Sequence, residues 1–230
     1  GSEMCIRDSL RDVFDDIVDL VRSDGDFRRF VLVRSLLLAS ALSPTFLVTM
    51  ANQQSVAEES SLASAIFTGL GTFVIAAGVA SLLAGKVSGW LSDVSSRNTL
   101  SGAALLATVV LIVTVVLGYA SSLSDAHAWT TVLVWWLPLA FFIISLAHAA
   151  IRVARSTYIV DMAEGTQRTR YVSVANTLMG VLLLLVGALT SVLAMASPEV
   201  ALAALALFGL LGAVLSKTLP EVSVGKKKVS

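Results

Sequence analysis

Charge is scarce in this chain, and reactive residue types are scarcer still. Aspartate, glutamate, lysine and arginine together make up 14% of the 230 residues, while 56% are hydrophobic. Soluble globular domains carry roughly 25% charged residues, so too few are present here to clothe a water-facing surface. A mean hydropathy of +0.85 sends much of the apolar side-chain area to lipid instead. The single cysteine, Cys5, excludes an internal disulfide and a cysteine-based metal site. The two histidines, His127 and His148, have no histidine or cysteine partner at ligand spacing, so neither a metal nor any other cofactor is expected. A phosphate-binding GxxxxGK[ST] is missing: Lys86 and Lys226 each follow glycine without the rest of the motif, and Gly69 with Gly71 is no dinucleotide fingerprint. Sixteen basic residues balanced by sixteen acidic ones leave no excess to attract nucleic acid.

What the chain does have is long apolar runs. A bilayer core about 30 Å thick takes about 20 residues of helix to cross, and six stretches qualify: 30–52, 62–85, 99–121, 130–152, 171–196 and 199–216. The expected fold is an all-α membrane protein of six transmembrane helices. Lysine and arginine concentrate in cytoplasmic loops, and here they fall on one side. Arg28, Arg29 and Arg34 begin the first span, Lys86 and Arg97 flank the turn after the second, and Arg152, Arg155, Arg168 and Arg170 fill the connection after the fourth. Lys217, Lys226, Lys227 and Lys228 follow the sixth. The opposite loops, near 53–61, 122–129 and 197–198, contain neither residue. Both termini are therefore expected in the cytoplasm. Pro198 suits the first turn of the last helix, where its missing N–H costs nothing.

Four domains follow. Residues 1–9, GSEMCIRDS, resemble translated sequencing-adaptor read-through and are set aside as non-native, so the natural protein is expected to begin further upstream. Residues 10–28 read as a cytoplasmic amphipathic linker helix: Leu10, Val13, Phe14, Ile17, Val18 and Val21 share one face, and Asp12, Asp15, Asp16 and Asp19 the other. Ser9 with Asp12 suggests a capping box, and Gly25 is expected to end the helix. Residues 29–217 form the membrane domain, and 218–230 a basic tail.

The second intracellular turn reads GKVSGWLSDVSSRNTL. Gly89, Asp93 and Arg97 fall where the major facilitator superfamily's signature loop has glycine, an aspartate four residues on and a basic residue; Val94, Ser96 and Asn98 depart from that pattern. Gly85 and Gly89 add a small-xxx-small face, which favours close helix packing. The stretch RVARSTYIVDMAEGTQRTRYVSVANTLMG, through Arg152, Arg155, Tyr158, Asp161, Arg170, Tyr171, Asn176 and Thr177, is similar to the end of helix four and the start of helix five in prokaryotic members. The chain thus resembles the C-terminal six-helix half of such a transporter over about residues 10 to 220. The resemblance implies two three-helix inverted repeats in a prokaryotic inner-membrane carrier. In such a carrier an N-terminal six-helix half of the same chain, expected to be missing from this sequence, completes the protein, which moves a small solute by alternating access.

Polar residues inside the spans are few, and each costs free energy in hydrocarbon unless paired or wet. His148, Arg152 and Arg155, at i, i+4 and i+7, share a face at the cytoplasmic end of the fourth helix. They read as an inner gate or proton-titrating site, or as snorkelling arginines beside a packed histidine. Arg152, Arg155, Tyr158 and Asp161 are the gate candidates; Gly85, Gly89, Asp93 and Arg97 belong to the signature loop. Pathway candidates are His148, Asn176, Thr177, Asn52, Pro44 and Pro138, the prolines as helix breaks that can mark a transport route. Trp135 and Trp136 suit an interfacial belt. No enzymatic chemistry is expected. The competing readings are a structural membrane subunit and an intramembrane hydrolase, although no GxSG-type loop places a serine at catalytic depth.

The orientation is testable directly. In a Cys5→Ser background, a cysteine replacing Asp125 should react with an impermeant maleimide outside intact cells, and one replacing Lys226 only after permeabilisation. The reverse pattern would invert the topology.

Overall fold

The computed structural model describes residues 17–57, 69–123, 127–162 and 165–220. The features expected outside those ranges, including residues 1–9, Leu10, Val13, Phe14, the Ser9 capping box and the basic tail from 221, lie outside the described residues.

Among the described residues, seven helices follow a short helical stretch over 17–23: α1 (Gly25–Ser40), α2 (Ser43–Ala57), α3 (Leu70–Val94), α4 (Ser96–Leu123), α5 (His127–Met162), α6 (Gly165–Ala194) and α7 (Pro198–Ser216). No strand occurs among the described residues. Counting α1 and α2 together as one span, six helices are long and apolar enough to cross a membrane. The start expected for the second span, at 62, falls outside the described residues. The fourth span runs further than the apolar run, through Met162. Arginine is a good helix former, so Arg152 and Arg155 end the hydrophobic stretch without ending the helix.

The first span is broken for a local reason. Pro44 lacks the N–H that would bond to the Ser40 carbonyl four residues back, and its ring disfavours helical backbone at Ser43. The chain tightens there: Ala41 N bonds to Leu38 O at 3.1 Å and Leu42 N to Ala39 O at 3.1 Å, before α2 restarts. Pro138, by contrast, sits inside a continuous α5. The entry into α1 also differs from expectation. The break after the 17–23 helix falls at Asp24, whose carboxylate accepts from Asp26 N and Phe27 N, each at 3.0 Å, and Gly25 is the first helical residue. Partial burial pushes the Asp24 carboxyl up, but hydrogen bonds from Phe27, Tyr171 and Asp26 outweigh that and hold it below the usual carboxylate range. A lowered folded value stabilises the cap above the ordinary carboxylate pKa, and that contribution fades only as pH falls through the lowered value.

α4, α5 and α7 form the densest part of the bundle, with α1 against α7, α3 against α5, and α6 against α1 and α7. Spans two and five are peripheral: only 17% and 11% of their apolar windows are buried, against 39–44% in the other four. Two apolar clusters fill the interior. One, at the base where residues 17 and 220 come together, includes Ile17, Phe27, Phe30, Leu100, Tyr158, Met179 and Leu219. The other, at the far end, includes Leu47, Met50, Phe73, Leu111, Leu137 and Leu202. Between them in chain position, on α1/α2, α4, α5 and α7, fall Ser40, Ser43, Thr108, His148 and Gly209.

Close helix approach depends on α7. A Cβ on Gly209 would come within 2.7 Å of Thr108 Oγ1, and one on Gly212 within 2.8 Å of Leu37 Cδ2. Gly85, expected on a close-packing face, would meet nothing within 4 Å; it lies on the exposed side of α3, so its missing side chain brings no helix closer. The side chain of Gly89's neighbourhood, residues 88–94, lies outside the description. Gly209→Ala should therefore lower the unfolding free energy by about 1–3 kcal/mol through overpacking, read from thermal unfolding in detergent. Gly85→Ala should stay within about 0.5 kcal/mol of the parent.

Candidate functional site

The freed Ser40 carbonyl faces another helix. The His148 ring, on α5, lies close to the Ser40 backbone, while its Nε2 is buried without a partner among the described residues. A proline break on one span thus lies beside the only histidine at membrane depth. Ser43 Oγ, three residues further on, is also buried and unpartnered among the described residues.

One helical turn at a time towards the base, α5 presents His148, Arg152 and Arg155 to the same space. A cavity of about 240 Å³ lies between this face and α1, lined by Leu37, Leu38, Ala41, His148, Ile151, Arg152 and Arg155. The i, i+4, i+7 spacing therefore does place these three polar side chains together, with one wall contributed by the residues just before the break.

A further arginine stands near this region on α1, outside the cavity lining. Arg34 Nη2 donates to Asn176 Oδ1 on α6 at 2.6 Å, and its Nε is buried without a partner among the described residues. The charge of Arg155 acts on Arg34, and that of Arg152 on Arg155. Reading the sequence, Arg34 counts only as a cytoplasmic marker. Its signal was available: it stands ten positions beyond Asp24 in an apolar run, about 15 Å along a helix, too deep to be a simple loop charge. Asn176 gains a specific role as the residue that holds this guanidinium.

The other candidates are distributed elsewhere. Tyr158 is fully buried at the base, stacked on Phe30 with ring centroids 5.2 Å apart, and its hydroxyl donates to Pro220 O at 2.9 Å. Arg97 donates from Nη1 to Leu219 O at 3.2 Å. These two residues, expected in separate gating elements, hold the same segment after α7. Phe27 packs on Tyr171 at 4.7 Å, and the Tyr171 hydroxyl donates to the Asp24 carboxylate. Thr177 is exposed and returns its hydroxyl to Ser173 O at 3.1 Å. Asn52 is exposed at the far end of α2. Trp136 donates from Nε1 to Thr114 Oγ1 at 2.8 Å, joining α5 to α4, whereas Trp135 is exposed. The side chains of Gly89's partner Asp93 and of Asp161 lie outside the described residues, as does that of His127.

A larger cavity, about 420 Å³, lies among α3, α4 and α5 and is lined mainly by apolar or small residues such as Val87, Gly102, Leu106 and Ala147. Among the described residues it offers no charged group, so the smaller arginine-lined cavity is the chemically equipped one.

No family model matches the chain, and no curated protein and no solved structure matches it either.

The link between Pro44 and His148 makes a quantitative prediction. Where the His148 ring serves the freed Ser40 carbonyl, His148→Ala should cost about 1–2 kcal/mol, at the upper end for interhelical hydrogen bonds in membranes. Pro44→Ala supplies an N–H to the same carbonyl, so His148→Ala in that background should cost clearly less. A double-mutant cycle by thermal unfolding reads the difference, and additive effects would show that the two residues act independently.

Proposed function

We propose that this chain is one six-helix half of a secondary transporter of the major facilitator superfamily, seated in a prokaryotic cell membrane with its base in the cytoplasm, and that it moves a small solute by alternating access. The observation that carries the reading is a repetition across the two triplets of spans. The buried shares of the apolar windows run 39, 17 and 44% in the first triplet and 39, 11 and 44% in the second. The contacts repeat in the same way. Exchanging spans one with four, two with five and three with six turns the α3–α5 contact into that of α6 with α1, and the α4–α5 contact into that of α7 with α1. The α4–α7 contact maps onto itself. Two triplets related by such an exchange are what an internal repeat produces, and transporters place their solute sites at repeat interfaces near mid-membrane.

The polar residues agree with this division. The Pro44 break and His148 lie on spans one and four, the first members of the two triplets, and the cavity between them is the one lined by arginines. A discontinuous helix beside a mid-depth polar site is a recurrent transporter feature. Asp93 and Arg97 lie at the base, where the signature loop would couple spans two and three to the state of the cavity.

The transport reading requires no covalent step. A hydrolase would need a serine activated by a base, but Ser43 Oγ and His148 Nε2 are both without partners, so they are not hydrogen-bonded to each other. Ser40, Ser101 and Ser216 direct their hydroxyls to the carbonyls of Leu37, Ala213 and Ala213. A proton is the candidate coupling ion, with His148 the candidate carrier.

Solvent access tests the proposal without knowledge of the solute. Leu38→Cys and Ala41→Cys in the full-length protein, with Cys5 replaced by serine, should each react with an impermeant maleimide from both faces of the membrane, in right-side-out and in inverted vesicles. Reaction from one face alone, unchanged across solutes and pH, would favour a structural subunit.

A further inference from the structure

The arginine-lined cavity has more positive charge than the chain neutralises. Arg34, Arg152 and Arg155 make no ion pair among the described residues; the ion pair there, Arg29 with Asp26 at 3.7 Å, lies at the start of α1. A charged arginine within a transmembrane helix is costly unless it is paired or wet. Three guanidiniums on facing helices add mutual repulsion. Snorkelling can relieve Arg152, which is exposed, but Arg34 and Arg155 are each only partly exposed, and Arg34 is turned towards Asn176 with its Nε buried. The arrangement therefore holds its positive charges inward and leaves donor capacity unused.

We propose that this cavity binds an anion, a carboxylate or phosphate group carried by a small solute or by a lipid headgroup, through Arg152 and Arg155, which line it. Guanidinium offers a planar fork of donors that matches both groups. Arg34, held on Asn176 through Nη2 outside the lining, adds positive charge nearby. Leu37, Leu38, Ala41 and Ile151 supply an apolar wall, which raises the strength of any charge contact by excluding water. His148 lies at the inner limit of the cavity. The arginines carry the contact; a protonated His148 ring adds a donor. Binding of anion and proton together at this place would give a solute and a coupling ion one shared site.

The inference deepens the transport reading and rests on it for access from both sides, but anion binding is measurable without transport. The full-length protein is placed in nanodiscs of phosphatidylcholine, and its thermal midpoint is titrated with inorganic phosphate, with succinate and with glucose as a neutral control. A second set of nanodiscs contains phosphatidylglycerol and no added anion. Saturable stabilisation by phosphate or succinate, absent with glucose, supports the site with a soluble ligand. Stabilisation by phosphatidylglycerol alone supports it with a headgroup as the source. In either case Arg152→Gln and Arg155→Gln should weaken the effect at least about tenfold, while Arg155→Lys should retain part of it. The ligand-free midpoint of each variant reports whether it has folded. No stabilisation by any anion, or equal stabilisation of parent and variants, overturns the proposal. Cavity labelling from both faces with no anion binding would remove the anionic ligand and leave the transport reading standing. Anion binding with labelling from one face would do the reverse.

Discussion

A carbonyl left without its helical donor has to be satisfied somewhere, and in a membrane the choices are few because no bulk water is near. Pro44 creates that situation at Ser40, and the His148 ring of another span lies beside it. Much of the arrangement follows. The break ends α1 and redirects α2; the α1 residues just before it, Leu37 and Leu38, become a cavity wall; and α5 is held with its His148, Arg152 and Arg155 face turned to that wall. The glycine positions of α7 allow the rest of the bundle to close around this junction, with Gly209 beside Thr108 and Ser40 and Gly212 beside Leu37.

Apolar packing and polar fixing are divided along the length of the bundle. The two clusters provide area without direction, since hydrocarbon side chains pack on lipid about as readily as on one another. Direction comes from a small number of specific contacts: Arg34 with Asn176, Trp136 with Thr114, His148 with Ser40, and Tyr171 with Asp24. Each joins different spans or joins a span to the helix cap. Hydroxyls of Thr99, Thr108, Thr114 and Thr190 bond instead to carbonyls of their own helices or caps, which lets polar residues lie in apolar surroundings without linking helices.

The number and approximate placement of the spans were legible in the sequence because hydrocarbon thickness sets helix length and apolar runs report it almost directly. The i, i+4, i+7 set on the fourth helix was legible for the same reason: helical spacing alone brings His148, Arg152 and Arg155 to one face. What a single sequence does not carry is which faces meet. Asn176 and Arg34 are 142 residues apart, and nothing local links them. The local rules also mistook a charge for an end: Arg152 and Arg155 looked like the close of the fourth span, yet the helix continues to Met162. Pro44 and Pro138 looked equivalent, and their consequences differ. α5 continues through Pro138, whereas at Pro44 the chain has already tightened into i→i−3 bonds at Ala41 and Leu42. Gly85 looked like a contact glycine because spacing suggests a small face, but spacing cannot tell whether a neighbour occupies it.

The segment after α7 joins three spans at the base. Leu219 is tied through its carbonyl to Arg97 on α4, and Pro220 through its carbonyl to Tyr158 on α5, immediately after α7 ends at Ser216. Spans three, four and six are thus fastened together by main-chain atoms and not by side-chain contact alone. Sliding of α7 along α4 or α5 would have to break these bonds, whereas tilting of the three as a group keeps them. The first span, divided at 41–42, takes no part in them.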